Sequence, residues 1–312
     1  MSQSAATGST TVPRPLAAVR ALLGNVVDYA GLFPPASLSM TAAASAYSEH
    51  RSGGDAWLLG RFVLPVARLE EFERDAAALL PREGARSWAL SALLSGDVEV
   101  DLQRVEEFNA RHRDARLGAV QIDTVELKTH TTHEIMHAAE LLERRFDTYM
   151  EIPVVEDPAE RIAAIAAAHA KAKIRTGGVT PDLFPPSSQV VRFVTRCLGH
   201  DVAFKATAGL HHSWRAEYPL TYASDAARGT MFGFLNLLLC VAALHQGLDD
   251  AVATQILEER DRSQVVFDAA GATWRGHRVG GDALRRARDT MTSFGSCSFA
   301  EPADDLRAAH LL

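Results

Sequence analysis

The chain has 312 residues, 47% of them hydrophobic and 23% charged, and carries a formal net charge of −7. That length accommodates one large domain or two ordinary ones. The acidic balance argues against nucleic acid as the main partner, because phosphate binding needs a basic face. Three widely separated cysteines (Cys197, Cys240, Cys297) exclude a disulfide framework or a thiolate zinc site and point to a reducing, cytoplasmic setting.

Residues 1–15 are rich in Ser, Thr and Ala without an apolar core, so they read as a disordered tail rather than a signal peptide. Residues 16–312 then read as a single domain. From about residue 25 the chain alternates apolar strand-like segments with amphipathic or Ala-rich helical ones. Strands are expected at 26–30, 57–64, 87–94, 117–127, 148–155, 172–176 and 202–207, and helices at 67–80, 100–113, 133–145, 159–171 and 187–198. Asp157-Pro158 and Pro186-Ser187 supply helix start signals. Strands and helices alternating at these lengths imply right-handed βαβ units and a parallel sheet. Seven such strands predict an α/β fold of the (β/α)₈ TIM-barrel type, with a doubly wound open sheet as the alternative.

Two segments compete for strand eight. Residues 232–239 read equally as the front of a buried helix, and the apolar run 231–244 is too short to span a bilayer. Residues 292–297 are the preferred choice, which makes 214–290 an insertion holding a β-hairpin near 265–279 and a short helix at 282–288. The segment 294–312 could close the barrel or fold over its mouth.

The chemistry-bearing residues fall in the strands. Lys173 lies in Ala172-Lys173-Ile174-Arg175-Thr176-Gly177-Gly178, and Lys205 in Phe204-Lys205-Ala206-Thr207-Ala208-Gly209. A strand alternates its side chains, so Lys205 shares a face with the small Ala203 and Thr207. A buried ammonium must be paired or partly neutral. Two such lysines close together are expected to lower each other's pKa, one route to an amine that attacks a carbonyl near neutral pH. Strand ends add Asp28, Arg61, Asp123, Glu126, Lys128, Glu151, Arg175, His211 and His212. A barrel built only for stability would fill these positions with Val, Ile and Leu.

Each residue also has a plainer reading. The lysines could simply pair with Glu126 and Glu151, and Asp28 could be a turn residue. Arg175 reads as an anion clamp, because guanidinium stays protonated. Adjacent His211 and His212 point opposite ways on an extended chain, so at most one faces a site. Cys297 reads as a small buried residue. Gly177 and Gly209 permit tight loops with N–H groups facing a ligand. His133-Glu134-Ile135-Met136-His137 fits the H-E-x-x-H zinc pattern, but it falls on a helix expected to pack outside the barrel, away from the mouth.

Lys173-Ile174-Arg175-Thr176-Gly177 resembles the K-T-S-T-G strand of deoxyribose-phosphate aldolases, and Lys205-Ala206-Thr207-Ala208-Gly209 resembles their K-A-S-G-G strand. Ile122-Asp123-Thr124-Val125 is similar to that family's D-x-V strand, and Tyr149-Met150-Glu151 to its apolar strand ending in Glu. Phe294-Gly295-Ser296-Cys297-Ser298 is loosely like the G-x-S-S strand that helps hold phosphate. The resemblance implies a class I aldolase in which Lys173 forms the Schiff base, Lys205 depresses its pKa, Asp123 assists proton transfer and Ser296 binds substrate. Arg175 and Ala208 depart from the pattern, which favours a carboxylated oxo-acid over a phosphorylated sugar.

The expected function is therefore a carbon–carbon lyase that forms a lysine Schiff base with a small, anionic carbonyl substrate and uses no organic cofactor or metal. Spacing alone does not decide which lysine is the nucleophile. The alternative is a divalent-metal-dependent hydrolase, isomerase or lyase with ligands from Asp28, Glu126, Glu151 and His211. No membrane partner is expected, and the assembly state stays open, a homo-oligomer included.

Overall fold

Eight parallel strands close into a barrel in the computed structural model of the protein, which describes residues 17–82 and 86–312. The expected tail at 1–15 lies outside the described residues. A short helix α1 (Ala17–Leu23) leads into β1 (Val27–Tyr29), α2 (Met40–Ser52), β2 (Leu59–Pro65) and α3 (Leu69–Ala76). The alternation continues with β3 (Trp88–Leu93), α4 (Val98–Arg111), β4 (Val120–Lys128), α5 (Thr132–Leu142) and β5 (Asp147–Glu151). Next come α6 (Ala159–Ala167), β6 (Lys171–Arg175), α7 (Ser187–Gly199) and β7 (Phe204–Thr207).

An insertion separates β7 from the last barrel strand. It holds a hairpin, β8 (Ala216–Pro219) and β9 (Arg228–Met231), then α8 (Phe234–His245) and α9 (Asp250–Glu258). An antiparallel sheet of β10 (Val265–Asp268), β11 (Gly271–Trp274) and β12 (His277–Gly280) follows, then α10 (Gly281–Thr290). The chain re-enters the barrel as β13 (Met291–Ser296) and ends in α11 (Ala300–Ala308).

All seven expected strands and the preferred eighth are present. β13 pairs with β1 through Phe294 opposite Val27 and with β7 through Ser293 opposite Lys205, which closes the ring. The competing segment is helical. Every residue of α8 from Phe234 to Ala243 is buried, because α9, α10 and the barrel cover it, and a helix covered on all sides loses its polar face. Its one buried amide, Asn236, is fully engaged: Nδ2 donates to the carbonyls of Ile256 and Glu259, and Oδ1 accepts from the Arg215 N–H. The hairpin expected near 265–279 is a three-stranded sheet, since Gly271 and Gly276 (φ +155° and +85°) allow two turns where one was read.

The apolar layer lies between the strands and the helices, where Phe62, Phe72, Trp88 and Phe108 pack together. The barrel interior is different: each of the eight strands sends at least one polar group into a continuous network. Asp28 (β1) accepts from the Arg61 N–H (β2), Lys205 (β7) and Ser293 (β13), while Glu126 (β4) accepts from Ser91 (β3), Lys205 and Lys173 (β6). Glu151 (β5) completes it through Lys173. No helix among the described residues is long and apolar enough to cross a membrane.

Candidate active site

The C-terminal ends of the strands surround a cavity of about 720 Å³, the end at which barrels of this type gather their chemistry. Its floor is set by strand register. Lys173 on β6 and Lys205 on β7 are direct partners across adjacent parallel strands, so their side chains rise together into the barrel. Glu126 reaches between them: one oxygen lies 2.8 Å from Lys173 Nζ and the other 2.7 Å from Lys205 Nζ. Glu151 holds the far side of Lys173 at 2.9 Å, and Asp28 the far side of Lys205 at 2.5 Å. The result is a chain of alternating charge, Asp28–Lys205–Glu126–Lys173–Glu151. The ring of Tyr149 lies beneath it, 5.4 Å from Lys205 Nζ.

This geometry overturns one expectation. Burial and the neighbouring ammonium both act to lower the lysine pKa values, but the flanking carboxylates outweigh them. For Lys205 burial is opposed by Asp28 and Glu126, for Lys173 by Glu126 and Glu151, and both are held above the ordinary lysine value. Burial likewise pushes the Glu126 carboxyl up, yet Lys173 and Lys205 hold it well below the usual carboxylate range. Both lysines rest as ammoniums. Three carboxylates face two of them, so the fully ionised cluster carries one net negative charge.

The other sequence-marked residues fall in three places. Lys173, Lys205, Glu126, Glu151, Arg175, Gly209 and His211 line the cavity. Asp28 lies beneath Lys205, and Ser296 behind His211, 3.3 Å from its Nδ1. Asp123 does not join the lysines. It forms a two-pronged pair with Arg61 at 2.6 and 3.1 Å, outside the cavity lining, in a layer with Asp147 and Lys171. The odd spacing of residues 123 and 126 does not separate their faces, because the β3–β4 register slips at Asp123, between the pairs Leu90–Ile122 and Ser91–Thr124. Asp123 instead belongs to the layer of Asp147 and Lys171, which alternation places below Glu151 and Lys173 on the same face.

The glycines act through packing. A Cβ at Gly177 would meet the Phe184 ring at 2.4 Å, and one at Gly209 would meet it at 2.8 Å and Gly177 Cα at 2.9 Å. Gly209 also has φ +71°, where a side chain is strained. Gly209→Ala is expected to cost ~1–3 kcal/mol in a denaturant titration. An unchanged midpoint would mean that the crossing of these loops is slack.

His211 and His212 diverge as expected for neighbours on an extended chain. His211 lines the cavity with Nδ1 3.1 Å from Glu301 and 3.8 Å from Cys297 Sγ, while His212 stacks on Tyr218 and meets Asp305 at 3.2 Å. Glu301 and Asp305 sit one turn apart on α11. The segment 294–312 thus finishes β13 and then ties its helix to both histidines. Burial lowers the His211 pKa, but Cys297 and Glu301 raise it further, to about 9. A raised folded-state pKa gives stability that is fully present below about 6.5 and is lost as pH rises through about 9. The melting-temperature gap between wild type and Glu301→Gln should therefore be widest below pH 6.5 and shrink toward pH 9. A gap that stays constant would show that the imidazole is not charged against Glu301.

The H-E-x-x-H segment is closer to the mouth than expected. Glu134 and His137 line the cavity, because the front of α5 leans over the end of β4. Glu134 is engaged in capping, accepting from the His130 N–H at 2.7 Å and the Glu134 N–H bonding to Thr131 Oγ1. His133 and His137 stack with centroids 6.4 Å apart. Among the described residues, no group of three or more His, Cys, Asp or Glu is placed to hold a metal ion.

The fold and the cavity define a (β/α)₈ barrel with a charged interior and an open site at the C-terminal ends of its strands. Comparison of the chain with known protein families and with curated proteins finds no match.

Proposed function

We propose that the protein is a carbon–carbon lyase that forms an imine between Lys173 and a small carbonyl substrate. The observation that carries this reading is the position of Lys173: it is the amine at the floor of the cavity, held between two carboxylates, with a second ammonium shared through Glu126. Lys205 is 1% exposed and carries an ammonium bonded to two carboxylates, so it serves better as the fixed charge that orients Glu126.

The resting ammonium must first lose a proton. Glu151 accepts it, the cluster keeps its net charge, and the freed amine attacks the carbonyl carbon. The carbinolamine that forms returns to an iminium when its hydroxyl leaves as water with that proton. An iminium carries the same charge as the ammonium it replaces, so the carboxylates that hold Lys173 at rest also stabilise it, without reorganisation. The electrons of the breaking carbon–carbon bond then flow into the iminium to give an enamine, as a base removes the proton of the departing hydroxyl. Acid–base assistance of this kind contributes on the order of 10²–10⁴ in rate. The part that the resemblance gives to Asp123 falls here to Glu126 and Glu151.

The metal-dependent alternative needs free carboxylate oxygens. Asp28 and Glu126 instead spend theirs on two ammoniums, two hydroxyls and the Arg61 N–H, and Glu151 gives one oxygen to Lys173, which favours the imine reading. Borohydride reduction in the presence of small oxo-acids and aldehydes, read by intact mass and peptide mapping, tests it. The expected result is one adduct on Lys173; no adduct with any carbonyl would overturn the reading.

A further inference from the structure

The cavity has two unlike walls. On the β4–β6 side, Lys128 and Arg175 stand beyond Glu126 and Lys173 toward the C-terminal ends of their strands. Each follows its buried neighbour by two residues, Glu126 to Lys128 and Lys173 to Arg175, so alternation returns both to the cavity side. Register fixes their spacing. Lys128 is level with Glu151, and Glu151 with Lys173, so the two cations sit on strands about 10 Å apart with β5 between them. Both are exposed, and neither has a carboxylate within salt-bridge distance among the described residues. They contrast with Lys173, Lys205 and Arg61, which are all paired.

On the β1–β3 side the lining is apolar: Phe33, Val63, Leu93 and Leu94. A cavity of about 720 Å³ lies within the range that encloses drug-sized ligands, and a three-carbon substrate would leave most of it to water. An apolar wall left facing water is unfavourable relative to contact with an apolar group.

We propose that this mouth takes an amphipathic carboxylate: an acid whose carboxylate is held by Arg175 and Lys128 and whose aliphatic or aromatic body lies against Phe33, Val63, Leu93 and Leu94. With the imine reading, on which only the carbonyl rests, the ligand is a 2-oxo acid with an apolar side chain. Arg175 lies two residues beyond Lys173, so a carboxylate next to the carbonyl carbon meets the guanidinium while the carbonyl meets the amine.

Calorimetric titration with pyruvate, 2-oxohexanoate, 2-oxooctanoate and 2-octanone tests this on wild type, Arg175→Gln and Lys128→Gln, with melting temperatures recorded to show that the variants fold. Affinity is expected to rise by about threefold to fourfold per methylene along the oxo-acid series. Arg175→Gln is expected to weaken 2-oxooctanoate by about tenfold or more and to leave 2-octanone unchanged. Equal affinity for pyruvate and 2-oxooctanoate, or binding indifferent to Arg175 and Lys128, would overturn the assignment. Chain-length- and Arg175-dependent binding without any borohydride adduct would sink the imine reading alone and leave the amphipathic carboxylate in place.

Discussion

Lys205→Met is expected to destabilise the barrel by ~3–5 kcal/mol at neutral pH, the usual cost of removing one partner from a buried ion pair. The substitution keeps the apolar stem and deletes the ammonium. Asp28 and Glu126 then lie 2% exposed with one cation fewer between them, and three carboxylates face Lys173 alone. The pH dependence gives a second check. Glu126 has a depressed folded-state pKa, so the stability it supplies is present above its ordinary value near 4.5 and is lost as pH falls through the folded value. The gap between wild type and variant should be full at pH 7 and begin to narrow below about pH 4.5, where protonation relieves the unpaired carboxylates of the variant. Adding Asp28→Asn should recover part of the loss, because it removes one of the stranded charges. Denaturant titrations across that pH range read all three effects. A loss under 1 kcal/mol would mean that water reaches the cluster and hydrates it.

The second large effect concerns chemistry. Lys173→Met should abolish the borohydride adduct altogether, since the other amine on the cavity floor, Lys205, lies deeper, held between Asp28 and Glu126. The double variant Asp28→Asn/Lys205→Met keeps Lys173, Glu126 and Glu151 and should still be trapped, provided the reaction is run below its melting temperature. An adduct that survives Lys173→Met and disappears with Lys205 would reverse the two roles. Glu151→Gln completes the set: the adduct should form more slowly by a factor of about 10²–10⁴, because the base that takes the ammonium proton is gone. Unchanged kinetics would assign that proton to Glu126.

Much of this arrangement can be read from the chain. Apolar runs of strand length, spaced by helix-length segments, locate the eight barrel strands, although most expected boundaries run one to three residues beyond the hydrogen-bonded ends. The two lysines stand out because such runs rarely contain a charge. What the chain conceals is the company they keep. Asp28, Glu126 and Glu151 come from three strands that only the closed barrel places side by side, so pairing, and with it the direction of the lysine pKa shift, depends on closure. Asp123 is drawn toward the site by resemblance, whereas Arg61, 62 residues earlier in the chain, claims it in three dimensions. The reach of Glu134 and His137 over the mouth depends on the tilt of α5, which no local pattern encodes. Lys128 is legible only as the residue two beyond Glu126, and its lack of a partner is a property of the folded surface.

The polar network that takes a group from every barrel strand also bears on how the chain folds. Its first member is Asp28 and its last Ser293, so it spans 265 positions of sequence and joins the two ends of the ring. Any fragment that lacks either end leaves Asp28, Lys205 or Glu126 open to solvent, where hydration satisfies them. The charges lose that hydration only when β13 slots between β1 and β7, in the same event that supplies their final partners. Ring closure is therefore the step at which desolvation is felt, and it requires contacts of the longest sequence separation in the molecule, a combination that slows folding. A half-barrel of this sequence has a hydrated, unassembled set of lysines and acids, and the charged floor of the cavity comes into being with the last strand.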